Sequence, residues 1–387
     1  MKRITALILT LSALLFNGYT VQSPEYKRQT KPGEYISVLF NKKKITSEKF
    51  TGAVSQEKFD ISLEYTDDYA FTLYKEKGEN FTVLNLADIH FSDFGYRVLF
   101  SLHTESLIRK LVKETEPDLI LLSGDFVCSD SEYYSIRRLT DLMDSLGVPF
   151  APIFGNHDRE GNCDENYLAE CLMQSPLCLF KKNDPEMGCG NYVINIKEKS
   201  KANEGAEETE KTVETIIMLD SHSSQPNEKQ REWYKWVCEG TKRLYGGESE
   251  IMCSMHVPLP EYETAYNLAF ENDESKALYK ALGEKNEKIC CERDENSKEK
   301  SNGFFDTAKE CGTKYIFCSH DHMNDFSLEY EGVRLTYCMK IGKASGYQPG
   351  FDGGTVIEIG ENGLTSFTHK TIRLSSFVDI EKFGVEE

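Results

Sequence analysis

The same kind of ending recurs five times along the sequence. "FTVLNLADIHF" (81–91), "DLILLSGDF" (118–126), "PFAPIFGNHD" (149–158), "EIMCSMHVPLP" (250–260) and "KYIFCSHDH" (314–322) are apolar runs of strand length that lead into Asp, Asn or His. A strand that is apolar at consecutive positions is covered on both faces. Stretches with helical spacing separate these runs, at 99–114, 131–146, 165–174 and 228–244, and further strands are expected at 215–223, 333–342 and 354–360. Strand and helix in alternation predict an α/β fold, a parallel or mixed sheet covered by helices. Sheets of that kind bind ligands beyond the carboxyl ends of their strands, so the polar endings are predicted to converge. In the last run His320 and His322 stand two apart, which on a strand points both rings the same way.

The converging set is Asp88 and His90; Asp125; Asn156, His157 and Asp158; His256; His320 and His322. Taken singly, each ending is ordinary turn chemistry, since Asp, Asn and Gly favour turns. Histidine has no such preference, yet five of the eight histidines fall here, leaving only His103, His222 and His369 outside. Carboxylates, a carboxamide and imidazoles are the donors that zinc, iron or manganese accept. Two such ions held about 3.5–4 Å apart need one shared donor, and a carboxylate with two oxygens can be that donor; Asp125 is the candidate. Apart from Cys253 and Cys318 inside the apolar runs, the thiol at these endings is Cys128, three residues past Asp125.

Together "LADIHF", "LLSGDF", "FGNHDRE", "MHVPLPEY" and "SHDH" resemble the five motif blocks of the calcineurin-like metallophosphoesterases: D-x-H, G-D, G-N-H-D/E, H and G-H-x-H, in that order. "HVPLPEY" is further similar to the branch related to purple acid phosphatases. The resemblance implies a four-layer αββα sandwich with mixed sheets flanked by helices. It implies that Asp88, His90 and His322 bind one metal, that Asn156, His256 and His320 bind a second, and that Asp125 bridges them. It makes His157 the acid that protonates the leaving oxygen, with Asp158 orienting its ring, and a metal-bridging hydroxide the attacking group. The implied activity is a secreted, metal-dependent hydrolysis of phosphate monoesters. A phosphodiesterase acting on nucleotides or lipid head groups and a catalytically retired binding protein are the alternatives. Two departures stand out. Ser319 replaces the glycine of the last block, and Cys128 stands where purple acid phosphatases carry a ligating tyrosine, so no iron–tyrosinate colour is expected.

The remaining features concern organisation. Acids outnumber bases 64 to 45, giving a net charge of −19, which argues against a surface built for nucleic-acid backbones. A phosphorylated small molecule or other phosphoester is the expected partner. Lys2 and Arg3 followed by the apolar stretch 4–16 read as a signal peptide over 1–20, too short for a comfortable membrane span, with an uncleaved anchor as the competing reading. It directs the chain to secretion or to a lysosome- or vacuole-like compartment. A β-rich extension is expected over 21–78 and the catalytic domain over 79–387, with flexible polar insertions at 196–214 and 284–302. In such a compartment the even count of twelve cysteines predicts disulfides, with Cys163, Cys171, Cys178, Cys189, Cys290 and Cys291 the better candidates and Cys253 and Cys318, inside apolar runs, read as buried thiols; Asn80-Phe81-Thr82 is a glycosylation sequon. Tyr96, Arg97, Arg159, Lys343 and Tyr347 are candidates for substrate contact.

Overall fold

A computed structural model of the chain describes residues 50–51, 53–92, 97–128, 132–161, 163–200, 209–221, 224–247, 249–290, 300–344 and 351–374. The leader at 1–20, Tyr96 and Tyr347 lie outside them. In chain order the strands are β1 (Phe50–Thr51), β2 (Ala70–Glu76), β3 (Phe81–Leu86), β4 (Leu119–Ser123), β5 (Phe150–Ile153), β6 (Tyr192–Ser200), β7 (Thr209–Met218), β8 (Glu250–Ser254), β9 (Tyr315–Cys318), β10 (Ser327–Tyr330), β11 (Val333–Tyr337), β12 (Gly353–Gly360) and β13 (Gly363–Thr371). The helices are α1 (Val98–Thr115), α2 (Glu132–Leu146), α3 (Glu165–Leu172), α4 (Glu228–Tyr245), α5 (Pro260–Ala269), α6 (Asp273–Leu278) and α7 (Phe304–Glu310).

The strands form two mixed sheets, one of eight strands in the order β1-β2-β6-β7-β8-β9-β11-β10 and one of five in the order β13-β12-β3-β4-β5. Within the smaller sheet β3, β4 and β5 run parallel, and β12 closes on β3 antiparallel. In the larger sheet β7, β8, β9 and β11 form the parallel stretch.

Period-two alternation explains why the strands read as unbroken apolar runs. On β7, Ile216 and Met218 point into the core shared with the smaller sheet, while Ile217, and Leu219 just past the strand, belong to the outer core. On β8 and β9, Met252 and Phe317 face inward and Ile251, Cys253, Ile316 and Cys318 outward. The inner core also takes Leu107, Ile108 and Leu111 of α1 and Ile136, Leu139, Leu142 and Met143 of α2, side chains spaced to share one helix face. The outer core takes Trp233, Tyr234 and Val237 of α4 with Phe304 of α7. The layers are therefore helix, sheet, sheet, helix. Helix α4 is bounded by a capping box, in which Asn227 and Gln230 each accept from the other's backbone N–H.

Three expectations differ from what is seen. The stretch 196–214 is strand at both ends: Lys197–Ser200 pairs with Thr209–Thr212 at the outer end of the β6–β7 hairpin. Thr209 and Glu210 face solvent there, whereas Glu198 is buried against Lys75 and Lys197 pairs with Asp67. The described part of 21–78 belongs to the body, because β2 pairs parallel with β6 and Tyr65 packs on Trp236 with ring centroids 5.0 Å apart. Cys163, Cys171, Cys178 and Cys189, expected bridge candidates, are free thiols, and Cys253 and Cys318 are buried in the core as expected, joined there by Cys238 and Cys338 as small apolar residues. No helix of the described residues is long and apolar enough to cross a membrane.

Candidate metal centre

The polar endings of β3, β4, β5, β8 and β9 lie together. The first two loops are joined by backbone hydrogen bonds from Asp88 N to Gly124 O (3.2 Å), His90 N to Asp125 O (2.9 Å) and Phe91 N to Phe126 O (2.9 Å). The third joins them through His157 N, which donates to Asp125 Oδ1 at 2.8 Å. The last two are joined by Ser319 N donating to His256 O at 2.9 Å. To turn these side chains toward one point the chain adopts left-handed backbone at Asp88 (φ 50°), His90 (φ 50°), Asp125 (φ 52°) and His320 (φ 77°). Strain of this kind in residues other than glycine concentrates at functional sites. Two glycines give the room. A Cβ on Gly124, itself at φ +86°, would lie 2.6 Å from His256 Cγ, and one on Gly155 would lie 2.5 Å from Asp125 N.

Donor atoms fall into two groups, each with its members within 4.8 Å of one another: Asp88, His90, Asp125 and His322; and Asp125, His256 and His320. Asp125 belongs to both. Its Oδ2 lies 3.5 Å from His90 Nε2 and 3.1 Å from His256 Nε2, and His322 Nε2 lies 3.4 Å from Asp88 Oδ1. Asn156 Oδ1 stands 3.2 Å from His256 Nε2, which adds a carboxamide to the second group. His256 and His320 have ring centroids 5.2 Å apart, and His90 and His322 5.1 Å. Five of these seven residues, Asp88, His90, Asp125, Asn156 and His256, are buried, and His320 and His322 are partly exposed.

These residues fit a pair of cations. His90 Nε2, Asp125 Oδ2 and His320 Nδ1 are buried and make no hydrogen bond, an arrangement that proteins otherwise avoid. His256 Nδ1 donates to Ser123 O at 2.7 Å, which leaves Nε2 facing Asp125 and Asn156. Burial alone would raise the Asp125 carboxyl, but His256 and His90 outweigh it and hold it well below the usual range. Burial alone would lower His256, but Asp125 lifts it to about 9. His320 is pushed down to about 4 by burial and by His256. A cation entering the cluster would displace the proton that His256 holds.

Around this cluster the structure separates roles that the motif letters run together. Asp158 does not face His157. Its carboxylate accepts from Asp125 N and Gly155 N (both 2.8 Å) and Val127 N (2.9 Å), stitching two motif loops together. Residues 157–159 form a 3-10 turn, so adjacent side chains diverge and the partner of His157 is Glu160, whose Oε2 lies 2.6 Å from His157 Nδ1. Asp321 turns away from the cluster, accepting from Cys290 N at 3.1 Å and from the Tyr337 hydroxyl. Ser319 donates to Ser123 O at 2.7 Å and lies 3.2 Å from His256 Nδ1, so its hydroxyl helps seat that ring. Cys128 Sγ lies 3.7 Å from His90 O and is in neither donor group. Arg159 is held by Asp220, Glu165 and Gly155 O, and Lys343 is paired with Asp352. Arg97 is exposed at the start of α1. Glu160 and Asp220 had no motif to announce them; the one local signal was an acid three residues after His157.

The model of one protein family, the calcineurin-like phosphoesterases, matches residues 81–324. The chain is 27% identical over 284 residues to a protein of Arabidopsis thaliana named probable inactive purple acid phosphatase 14, covering 66% of this chain and 69% of that one. It is 27% identical over 245 residues to phosphatase DCR2 of Saccharomyces cerevisiae, covering 58% of this chain and 39% of that longer protein. A solved structure of a dimetal phosphatase from Danio rerio aligns with a TM-score of 0.41 at 11% identity, over 76% of this chain and 99% of that one.

Proposed function

Because the chain belongs to the calcineurin-like phosphoesterase family, we propose that it is a two-metal hydrolase of phosphate monoesters and that its leader carries it out of the cytoplasm. The observation that carries the reading is the membership of Asp125 in both donor groups. Asp88, His90 and His322 would hold one ion, Asn156, His256 and His320 the other, and Asp125 both. Zinc, iron or manganese bound there would activate water and neutralise charge building on the phosphoryl oxygens. His157, with its ring centroid 5.0 Å from that of His90, stands beside the cluster without belonging to either group. It donates a proton from Nε2 to the oxygen that leaves phosphorus. Asp158 keeps the second and third loops in register, so the bridging carboxylate and His157 hold their relative positions.

Three of the relatives, all from Arabidopsis thaliana, carry "inactive" in their names. In this chain all seven donors and His157 retain the residue types the chemistry needs, which supports turnover over a retired scaffold. The test is elemental analysis of the purified protein together with hydrolysis of p-nitrophenyl phosphate and bis-p-nitrophenyl phosphate. Two ions per chain and preference for the monoester are expected; preference for the diester would move the reading to a phosphodiesterase. Asp125→Asn should lower kcat/KM by at least about 100-fold and reduce metal content, since outer-shell changes alone cost about 10–100-fold. Unchanged turnover in that variant would remove the two-metal reading.

A further inference from the structure

We infer that Glu160 is the positioning residue for His157, fixing which ring nitrogen meets the leaving oxygen of a phosphate ester. The inference rests on the function proposed above and adds a residue that the family motif does not contain.

A 3-10 helix has about three residues per turn, so side chains at i and i+3 eclipse. Residues 157–159 form such a turn, Glu160 N donates to His157 O at 3.3 Å, and Glu160 Oε2 comes to 2.6 Å from His157 Nδ1. The intervening side chains have other occupations. Asp158 is committed to three backbone N–H groups, and Arg159 donates to Gly155 O at 2.9 Å and to Asp220 at 2.6 Å. Both anchor the turn and leave Glu160 as the acid in contact with the ring. A carboxylate cannot donate, so the contact places a proton on Nδ1 and sets Nε2 as the nitrogen that gives its proton away. In the step itself, the bond between phosphorus and the leaving oxygen breaks with its electron pair on that oxygen, which takes the proton from Nε2. The imidazole ends neutral, protonated at Nδ1 and still bonded to Glu160, while water supplies the new oxygen on phosphorus.

The distinguishing variable is the leaving group. Protonation matters little for a good leaving group such as p-nitrophenol and much for phenol or an alcohol. General acid catalysis contributes about 100- to 10,000-fold. Glu160→Ala in the metal-loaded enzyme should therefore cost about threefold on p-nitrophenyl phosphate and about 30-fold or more on phenyl phosphate, a fraction of that general-acid contribution. Metal content should be unchanged. The double variant with His157→Ala should be no worse than His157→Ala alone. Equal losses on both esters, or losses that add to those of His157→Ala, would overturn the assignment. A second readout needs no turnover. In metal-free protein labelled with 15N-histidine, neutral His157 should carry its proton on Nδ1 in the wild type, keep it there in Glu160→Asp if the shorter carboxylate still reaches the ring, and lose that preference in Glu160→Ala. Finding the proton on Nε2 in the wild type overturns the inference. If the loaded wild type cleaves no phosphate ester, the proposed function fails, and the nitrogen spectrum still decides whether Glu160 sets the ring.

Discussion

Gly124→Ala tests the link between backbone shape and metal chemistry. The new Cβ would sit 2.6 Å from His256 Cγ and 2.9 Å from His256 Cβ, so the imidazole must yield by several tenths of an ångström or more. At φ +86° an alanine also pays the left-handed penalty, about 1–2 kcal/mol. Overpacking adds about 1–3 kcal/mol, for a total of roughly 2–5 kcal/mol. That is a large part of the 5–15 kcal/mol typical of a folded chain, yet leaves it folded. Gly147→Ala is the internal control. It has φ +68° with nothing within 4 Å of the added carbon, so only the left-handed penalty of about 1–2 kcal/mol applies. Guanidinium unfolding of the metal-free proteins measures both. The sharper readout is metal content after dialysis. Displacing His256 breaks its 2.7 Å bond to Ser123 O and takes Nε2 out of the second donor group, while Asp88, His90 and His322 stay in place. Gly124→Ala should retain about one ion per chain and Gly147→Ala two. If Gly124→Ala holds both ions as tightly as the control, His256 is not a ligand and the site as assembled here is wrong.

Two further outcomes are expected. Replacing Arg159 with Met leaves fully buried Asp220 without the guanidinium 2.6 Å away, and should cost about 3–5 kcal/mol in denaturant unfolding of the metal-free protein; a loss under 1 kcal/mol (roughly the worth of an exposed pair) would show that the pair does not anchor the turn. Glu214 is buried beside Glu250, and burial first, then that neighbour, pushes its carboxyl well above the usual range. With the folded value raised, the stabilising contribution is complete below the ordinary carboxylate range and is lost as pH rises through the folded value. The thermal midpoint of the wild type should therefore fall relative to that of Glu214→Gln as pH increases, and a difference that stays flat across pH would show Glu214 titrating normally.

The site was legible because its donors terminate buried strands. An apolar run records its own burial, and Asp or His at its end has few structural reasons to recur, so Asp88, Asp125, His256 and His320 stood out. The hairpin arm at 196–214 was not legible for the opposite reason. Lys197 pairs with Thr212 and Lys199 with Glu210, and a charged composition says nothing about a backbone partner more than ten residues away. Strand β13 was missed on the same grounds, being an edge strand whose Ser366, His369 and Lys370 look like loop. The exchange of Asp158 for Glu160 is a question of period. Neighbours in sequence read as neighbours in space only if the local turn is known, and a 3-10 turn selects the third residue along. The cysteine count misled because oxidation state follows compartment and distance, and neither is written in how many thiols a chain carries.

The left-handed residues restrict what the site can become over evolutionary time. At Asp88, His90, Asp125 and His320 a drift to valine or isoleucine would remove a donor and also force a branched side chain into a conformation such residues almost never adopt. Asparagine and glycine tolerate it. A descendant that gave up chemistry would therefore keep Asn or Gly at these positions, and its ancestry would survive in the backbone long after the ions were gone.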